Sequence, residues 1–172
     1  MRRPRMTRGR AAVPLEPITF ARAPYASKDW ALVEQLEALA RFVPVFASPT
    51  FEFSEFVPGE KKEEAVTLGH YRLAPEAQAF IETAHTYGWV RDFPWSEWQQ
   101  TAEAARLRDD PDALSQATPT DLAKLLTACC RAERFVEGSL SDHYQSGLLR
   151  RVVERAKTLL RETRDVGRNG SI

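Results

Sequence analysis

Apolar positions recur at three- and four-residue intervals through most of this chain, and at two-residue intervals in one region. Trp30, Val33, Leu36, Leu39, Ala40 and Val43 follow Ser27 at helical spacing, which predicts a helix capped by Ser27 and ended by Pro44. Phe51, Phe53 and Val57 share one face if extended, and residues 65–73 form a second β-like run. The charged PGEKKEE stretch between them reads as a hairpin loop. A lone hairpin is marginal in water, so it should pack on helices, with Trp89–Arg91 as a candidate third strand.

Pro75 opens the next helical stretch and Gly88 closes it, with Phe80, Ile81 and Ala84 on its apolar side. Ser96 is placed to cap a helix through Leu107, after which DDPD reads as a turn. Thr118-Pro119-Thr120-Asp121 combines a capping threonine, proline at the first helical position and an early acid, a strong helix start. Leu122, Leu125, Leu126, Cys129 and Val136 form the stripe that this helix would bury. A last helix over 148–163 presents Leu148, Val152, Val153, Ala156, Leu159 and Leu160. The order of elements argues for one α+β domain, mostly helical, with a short antiparallel hairpin or three-stranded sheet packed on helices.

At 172 residues the chain suits a single domain with a real core. No apolar run approaches the roughly 20 residues of a membrane span, and the N-terminal arginines precede no apolar segment of a secretory signal. The formal net charge of zero hides a pattern: residues 1–26 carry +5, residues 27–130 carry −8 and residues 131–172 carry +3. Residues 1–26, rich in arginine and proline, read as a basic disordered arm. Residues 27–165 read as the domain and 166–172 as a frayed tail. The adjacent Cys129 and Cys130 point about 100° apart on a helix, poorly placed to bridge each other. They fit a reducing cytoplasm as small core residues.

Candidate chemistry concentrates between Thr127 and Arg155. Thr127, Arg131, Arg134 and Phe135 fall away from the leucine stripe, so the helix offers a second contact surface. Arg131 and Arg134 suit an anion or a docking partner, because guanidinium forks match phosphate and carboxylate. Arg134 and Glu137 are spaced to pair if the chain stays helical. The architectural alternative has the last helix covering Phe135 while the arginines tie down a turn at Gly138. His143, between Asp142 and Tyr144, is a weak acid–base candidate that needs Glu137 and Arg134 in the same cleft. Trp89, Phe93, Trp95 and Trp98 form either a core plug or, through Trp95 and Trp98, part of a binding groove. The last helix carries Arg150, Glu154, Lys157, Arg161 and Arg164 on its polar side, which with the arm offers a nucleic-acid grip. The histidines and cysteines share no metal-ligand spacing, and no nucleotide loop or nucleophile motif occurs, so no metal and no cofactor is expected.

The set Thr127, Arg131, Arg134, Phe135, Glu137, Gly138, Leu140, Gly147 and Arg155 resembles a bacterial family known only as domain of unknown function 6508. Arg41–Phe46, the FIETAHTYGWV helix and the FPWSEW turn extend the resemblance over roughly residues 30–160. Two positions depart from the pattern: Pro94 precedes Trp95, with Asp92 as the nearby acid, and Glu133 stands where members tend to carry aspartate. The resemblance implies a shared fold and brings no activity with it. The resulting expectation is a cytoplasmic, non-enzymatic interaction or regulatory module. It would bind a protein partner or polyanion near Arg131, Arg134, Glu137, Trp95 and Trp98; a homodimer is one form such an interaction could take.

Overall fold

The structure is a computed structural model that describes residues 31–59, 61–62, 65–66 and 68–169. Helix α1 (Leu32–Ala40) starts at Ala31, whose N–H is accepted by the Glu34 carboxylate at 3.1 Å. Ser27, the expected cap, lies outside the described residues, as does Trp30. Pro44 does not end this helix. The chain turns at Arg41–Phe42, and Pro44 then sits in the first turn of a short helix α2 (Val43–Phe46), where its missing N–H is not needed.

Strands β1 (Ser54–Val57) and β4 (His70–Leu73) pair antiparallel, with Ser54 opposite Leu73 and Val57 opposite His70. Between them β2 (Lys61–Lys62) and β3 (Ala65–Val66) pair antiparallel as a separate two-stranded ladder. The expected hairpin is therefore present, extending into the charged stretch read as loop. Helix α3 (Pro75–Thr86) follows, and Gly88, at φ +73°, turns the chain away from it. Trp89–Arg91 is not a third strand; it crosses the molecule as an irregular strap.

The Ser96–Leu107 segment is two helices, not one: α4 (Trp95–Trp98) and α5 (Ala102–Asp109). Thr101 caps the second by accepting from the Ala104 N–H at 3.2 Å, so Ser96 is not the cap. The DDPD stretch also forms a helix, α6 (Pro111–Ser115), because the Asp110 side chain accepts from the Asp112 N–H at 2.9 Å and Pro111 sits in its first turn. Helix α7 (Pro119–Ala132) begins with the expected reciprocal cap between Thr118 and Asp121. Leu122, Leu125, Leu126 and Cys129 are buried. Val136 is instead 61% exposed, because α7 stops at Ala132 and the helical period stops with it. Cys129 and Cys130 are buried free thiols. Burial pushes both upward in pKa, Cys130 to about 12, which leaves them unreactive packing groups.

After Gly138, at φ +90°, comes α8 (Ser139–Gln145), and after Gly147, at φ +76°, the long helix α9 (Leu148–Asn169). α9 runs past the expected end at 163 and is the spine of the domain, packing against α1, α2, α6, α7 and α8. Leu148, Leu149, Val152, Val153, Ala156, Leu159 and Leu160 supply its buried stripe. Arg155 Nε donates to the Ala117 carbonyl at 2.9 Å, fixing α9 to the chain just before α7, and Arg164 pairs with Glu37 of α1.

A second packing centre holds the hairpin. Fully buried Phe46 is ringed by Phe42, Phe51, Phe53, Phe80 and Tyr144, with ring centroids between 5.1 and 6.1 Å. Edge-to-face contacts of this kind are worth about 0.5–1.5 kcal/mol each beyond area burial. The cluster binds α2, α3 and α8 to the root of the hairpin, and a Ser54–Ser141 hydroxyl contact adds a polar link between β1 and α8.

Candidate functional site

The corner at the end of α7 is built by two hydroxyl and carboxylate devices. The first is Thr127. Its side chain faces inward, fully buried, rather than outward with the arginines as the helical period alone suggests. Its Oγ1 accepts from the Arg91 N–H at 2.9 Å and lies within donating distance of the Ala123 carbonyl at 2.7 Å and the Trp89 carbonyl at 3.2 Å. The strap 89–91 is thereby clamped across α7, and it brings the C-terminal end of α3 beside the last turn of α7.

The second device is Glu133. Its Oε1 accepts from the Gly138 N–H at 2.8 Å, and its Oε2 accepts from the Leu140 N–H at 2.7 Å and from Ser139 Oγ at 3.0 Å. A single carboxylate thus serves the turn at Gly138 and, through the Leu140 N–H, one of the free N-terminal donors of α8. The Gly138 turn is tied down by this acid and not by the arginines. Gly138 is required there on two grounds: its φ is unfavourable for a side chain, and a Cβ would come within 2.7 Å of Tyr71 Cε2.

Glu137 does not pair with Arg134. Its Oε1 accepts from the Tyr71 N–H at 2.9 Å, joining the turn to β4. Both acids nearest the arginines in sequence are thus occupied by backbone donors. Among the described residues neither Arg131 nor Arg134 forms an ion pair, and the Arg131 Nε is buried with no hydrogen-bond partner. Arg134 is exposed and Arg131 half-buried. The Phe135 side chain is 77% exposed rather than covered by α9, and its ring stacks on Trp95 at 6.0 Å with an interplanar angle of 28°.

The structure adds a residue that sequence reasoning missed. His85, half-buried in the last turn of α3, is held below its ordinary pKa first by burial and then by the positive charges of Arg134 and Arg131. The charges of both arginines are thus felt at His85. No sequence motif links position 85 to 131; the link is the Trp89–Thr127 contact, which spans 38 residues.

The other candidates lie elsewhere. Trp98 is buried, donates its Nε1–H to Glu103 at 2.9 Å and has Lys124 Nζ 5.7 Å over its ring, a core role, whereas Trp95 is half-buried, packing on the core and stacking on Phe135. His143 lines a cleft of about 40 Å³ together with Trp98, Arg108, Cys129 and Leu148. Burial and the Arg108 charge lower its pKa, opposed by Asp142 and Glu133. Neither Glu137 nor Arg134 lines this cleft, so the triad that an acid–base role needs is not assembled. A space this small admits about one water molecule. Among the described residues no cluster of His, Cys, Asp and Glu could hold a metal ion, and no helix is long and apolar enough to cross a membrane.

With this fold and corner in view, the chain belongs to a family of unknown function, DUF6508, whose model matches residues 31–162. That span starts just before α1 and ends within α9, so it covers the helical body, the hairpin and the arginine corner. No curated protein matches the chain, and no solved structure does.

Proposed function

We propose that the protein is a non-enzymatic binding module, acting by interaction or regulation, whose working surface is the corner formed by Arg131, Arg134 and the Trp95–Phe135 stack. One observation carries the reading: two guanidinium groups are left without ion-pair partners among the described residues, while Glu133 and Glu137, which could have neutralised them, serve backbone donors. Beside them in the chain the exposed Phe135 ring stacks on the half-buried Trp95. Arginine and aromatic residues are the types enriched where interfaces bind most strongly. The partner is a protein or an anionic ligand. Buried free thiols at Cys129 and Cys130 support a reducing bacterial cytoplasm as its home.

The nucleic-acid alternative draws less support. Arg164 of the basic helix is engaged with Glu37. Affinity capture from the native cell tests the choice, using the full chain, an Arg131→Glu/Arg134→Glu variant and an Arg150→Glu/Arg161→Glu variant. The proposed function predicts a retained partner that the first variant loses and the second keeps. Loss only in the second, or a partner released by nuclease, would refute it.

A further inference from the structure

We infer that β1 is the contact strand of a homodimer, its open edge pairing antiparallel with the same edge of a second copy about a two-fold axis at Phe56. This surface is separate from Arg131 and Arg134, so the inference does not depend on the binding reading above.

The ladder fixes where the open edge points. The Ala74 N–H donates to the Phe53 carbonyl at 3.0 Å, and the pattern alternates from there. Glu55–Arg72 and Val57–His70 are therefore the hydrogen-bonded pairs, whereas Ser54–Leu73 and Phe56–Tyr71 turn their main-chain groups outward. The Tyr71 N–H agrees, since it points away from β1 to the Glu137 carboxylate at 2.9 Å. Phe56 thus aims both its N–H and its carbonyl away from β4. Among the described residues β1 pairs with β4 alone, and nothing takes up these two Phe56 groups. Unpaired main-chain groups on an edge are a template for another strand. The outer edge of β4 is occupied at Tyr71 by Glu137, so pairing through β1 closes at two copies instead of running on into a fibre.

Side chains select a second copy as the occupant. Phe56 is 58% exposed at the middle of this edge, yet its ring is held in place by packing over Gly69 and against Tyr71, at a centroid distance of 5.3 Å. With Phe56 opposite Phe56 of the second copy, the Tyr71 and Phe56 rings of both copies form one row across a continuous sheet. Aromatic cross-strand pairs of this kind are stabilising. On the other face Glu55, paired with Arg72, comes opposite the uncharged Val57 of the second copy, so no like charges meet. The neighbouring register would set the two Glu55 side chains directly against each other, which is destabilising. Pro58, just past β1, has no N–H to donate and limits the shared ladder at each end. An interface this short makes a weak dimer.

The test is sedimentation velocity of the full chain from micromolar to sub-millimolar concentration, for wild type, Phe56→Pro and Phe135→Ala. Proline at position 56 removes the outward N–H and the ring while leaving the β1–β4 hydrogen bonds in place. The expected result is a monomer–dimer equilibrium in wild type and Phe135→Ala, with a dissociation constant raised about tenfold or more by Phe56→Pro. Phe56→Cys keeps the test decisive even if the proline variant folds poorly. Cys129 and Cys130 are buried, so the new thiol is the exposed one. Residues opposed in a hydrogen-bonded antiparallel pair lie about 5.5 Å apart at Cα, within reach of a disulfide. Mild oxidation should therefore link Phe56→Cys into a covalent dimer much faster than it links Arg134→Cys. A wild type that stays monomeric, an assembly that grows beyond two copies, a dimer unchanged in Phe56→Pro, or crosslinking no faster at 56 than at 134 overturns the inference.

Discussion

Glu133 and Leu140 are joined across the turn between α7 and α8 by a 2.7 Å hydrogen bond from the Leu140 N–H to the Glu133 carboxylate. The same carboxylate accepts from Gly138 and Ser139, so an acid at the end of one helix serves as the N-terminal cap of the next. Removing it would strand partly buried N–H donors.

Glu133→Ala is expected to destabilise the domain by about 2–3 kcal/mol, and Glu133→Gln by less, since the amide keeps one acceptor oxygen. Urea unfolding measures both. A Glu133→Ala variant as stable as wild type would show that the α8 cap is not needed.

Gly138→Ala should cost more than about 1 kcal/mol, from backbone strain at φ +90° and from the Tyr71 ring that the new methyl group meets. A Tyr71→Ala substitution in the same background should recover the steric part alone. The double-mutant cycle separates the two terms, and strict additivity would exclude the contact.

Phe135 and Phe46 are chemically identical and placed oppositely. Phe46→Ala should cost about 3–5 kcal/mol, as its ring is the hub of the aromatic cluster. Phe135→Ala should cost under about 1 kcal/mol, since the ring is 77% exposed. Thermal unfolding of the pair would expose an error in either placement.

Much of the fold was legible because local signals agreed. The Thr118–Asp121 cap, Pro75 and Gly88 around α3, and the leucine stripe of α7 each match their observed roles. Three of the errors share one cause, extrapolation of a helical period across a break. Val136 was counted in the stripe and Glu137 paired with Arg134 because α7 was continued beyond Ala132. Ser96 was made a cap because the break at Thr101 carries no glycine or proline. The site was half legible. Arg131, Arg134 and Phe135 were visible as off-stripe residues and Trp95 as a candidate groove residue, whereas the clamp of Thr127 on the strap 89–91 carried no local signal. Glu133 stood out only as a departure from the family pattern, since an acid that caps a helix several residues ahead looks like an ordinary surface charge.

Stability should fall as pH drops below neutrality. His85 and His143 both have lowered folded pKa values against an ordinary value of 6.5. As pH falls through about 6.5 the unfolded chain takes up protons first, so their contribution is present above that value. It is lost as pH falls toward the folded pKa values. Replacing either histidine with glutamine should flatten the slope of stability against pH between 7 and roughly 5. An unchanged slope in both variants would mean that neither imidazole is held neutral by the fold.

Surfaces retained for binding are often neutral or costly for stability. The direct measurement is urea unfolding of Arg131→Met and Arg134→Ala beside Leu126→Ala. The expected result is that Leu126→Ala loses about 2–5 kcal/mol. Arg134→Ala should stay within about 0.5 kcal/mol of wild type, and Arg131→Met should be unchanged or slightly more stable, because it removes a buried unsatisfied donor. Losses in both arginine variants as large as that of Leu126→Ala would contradict the account, by showing that the corner exists to hold the fold together.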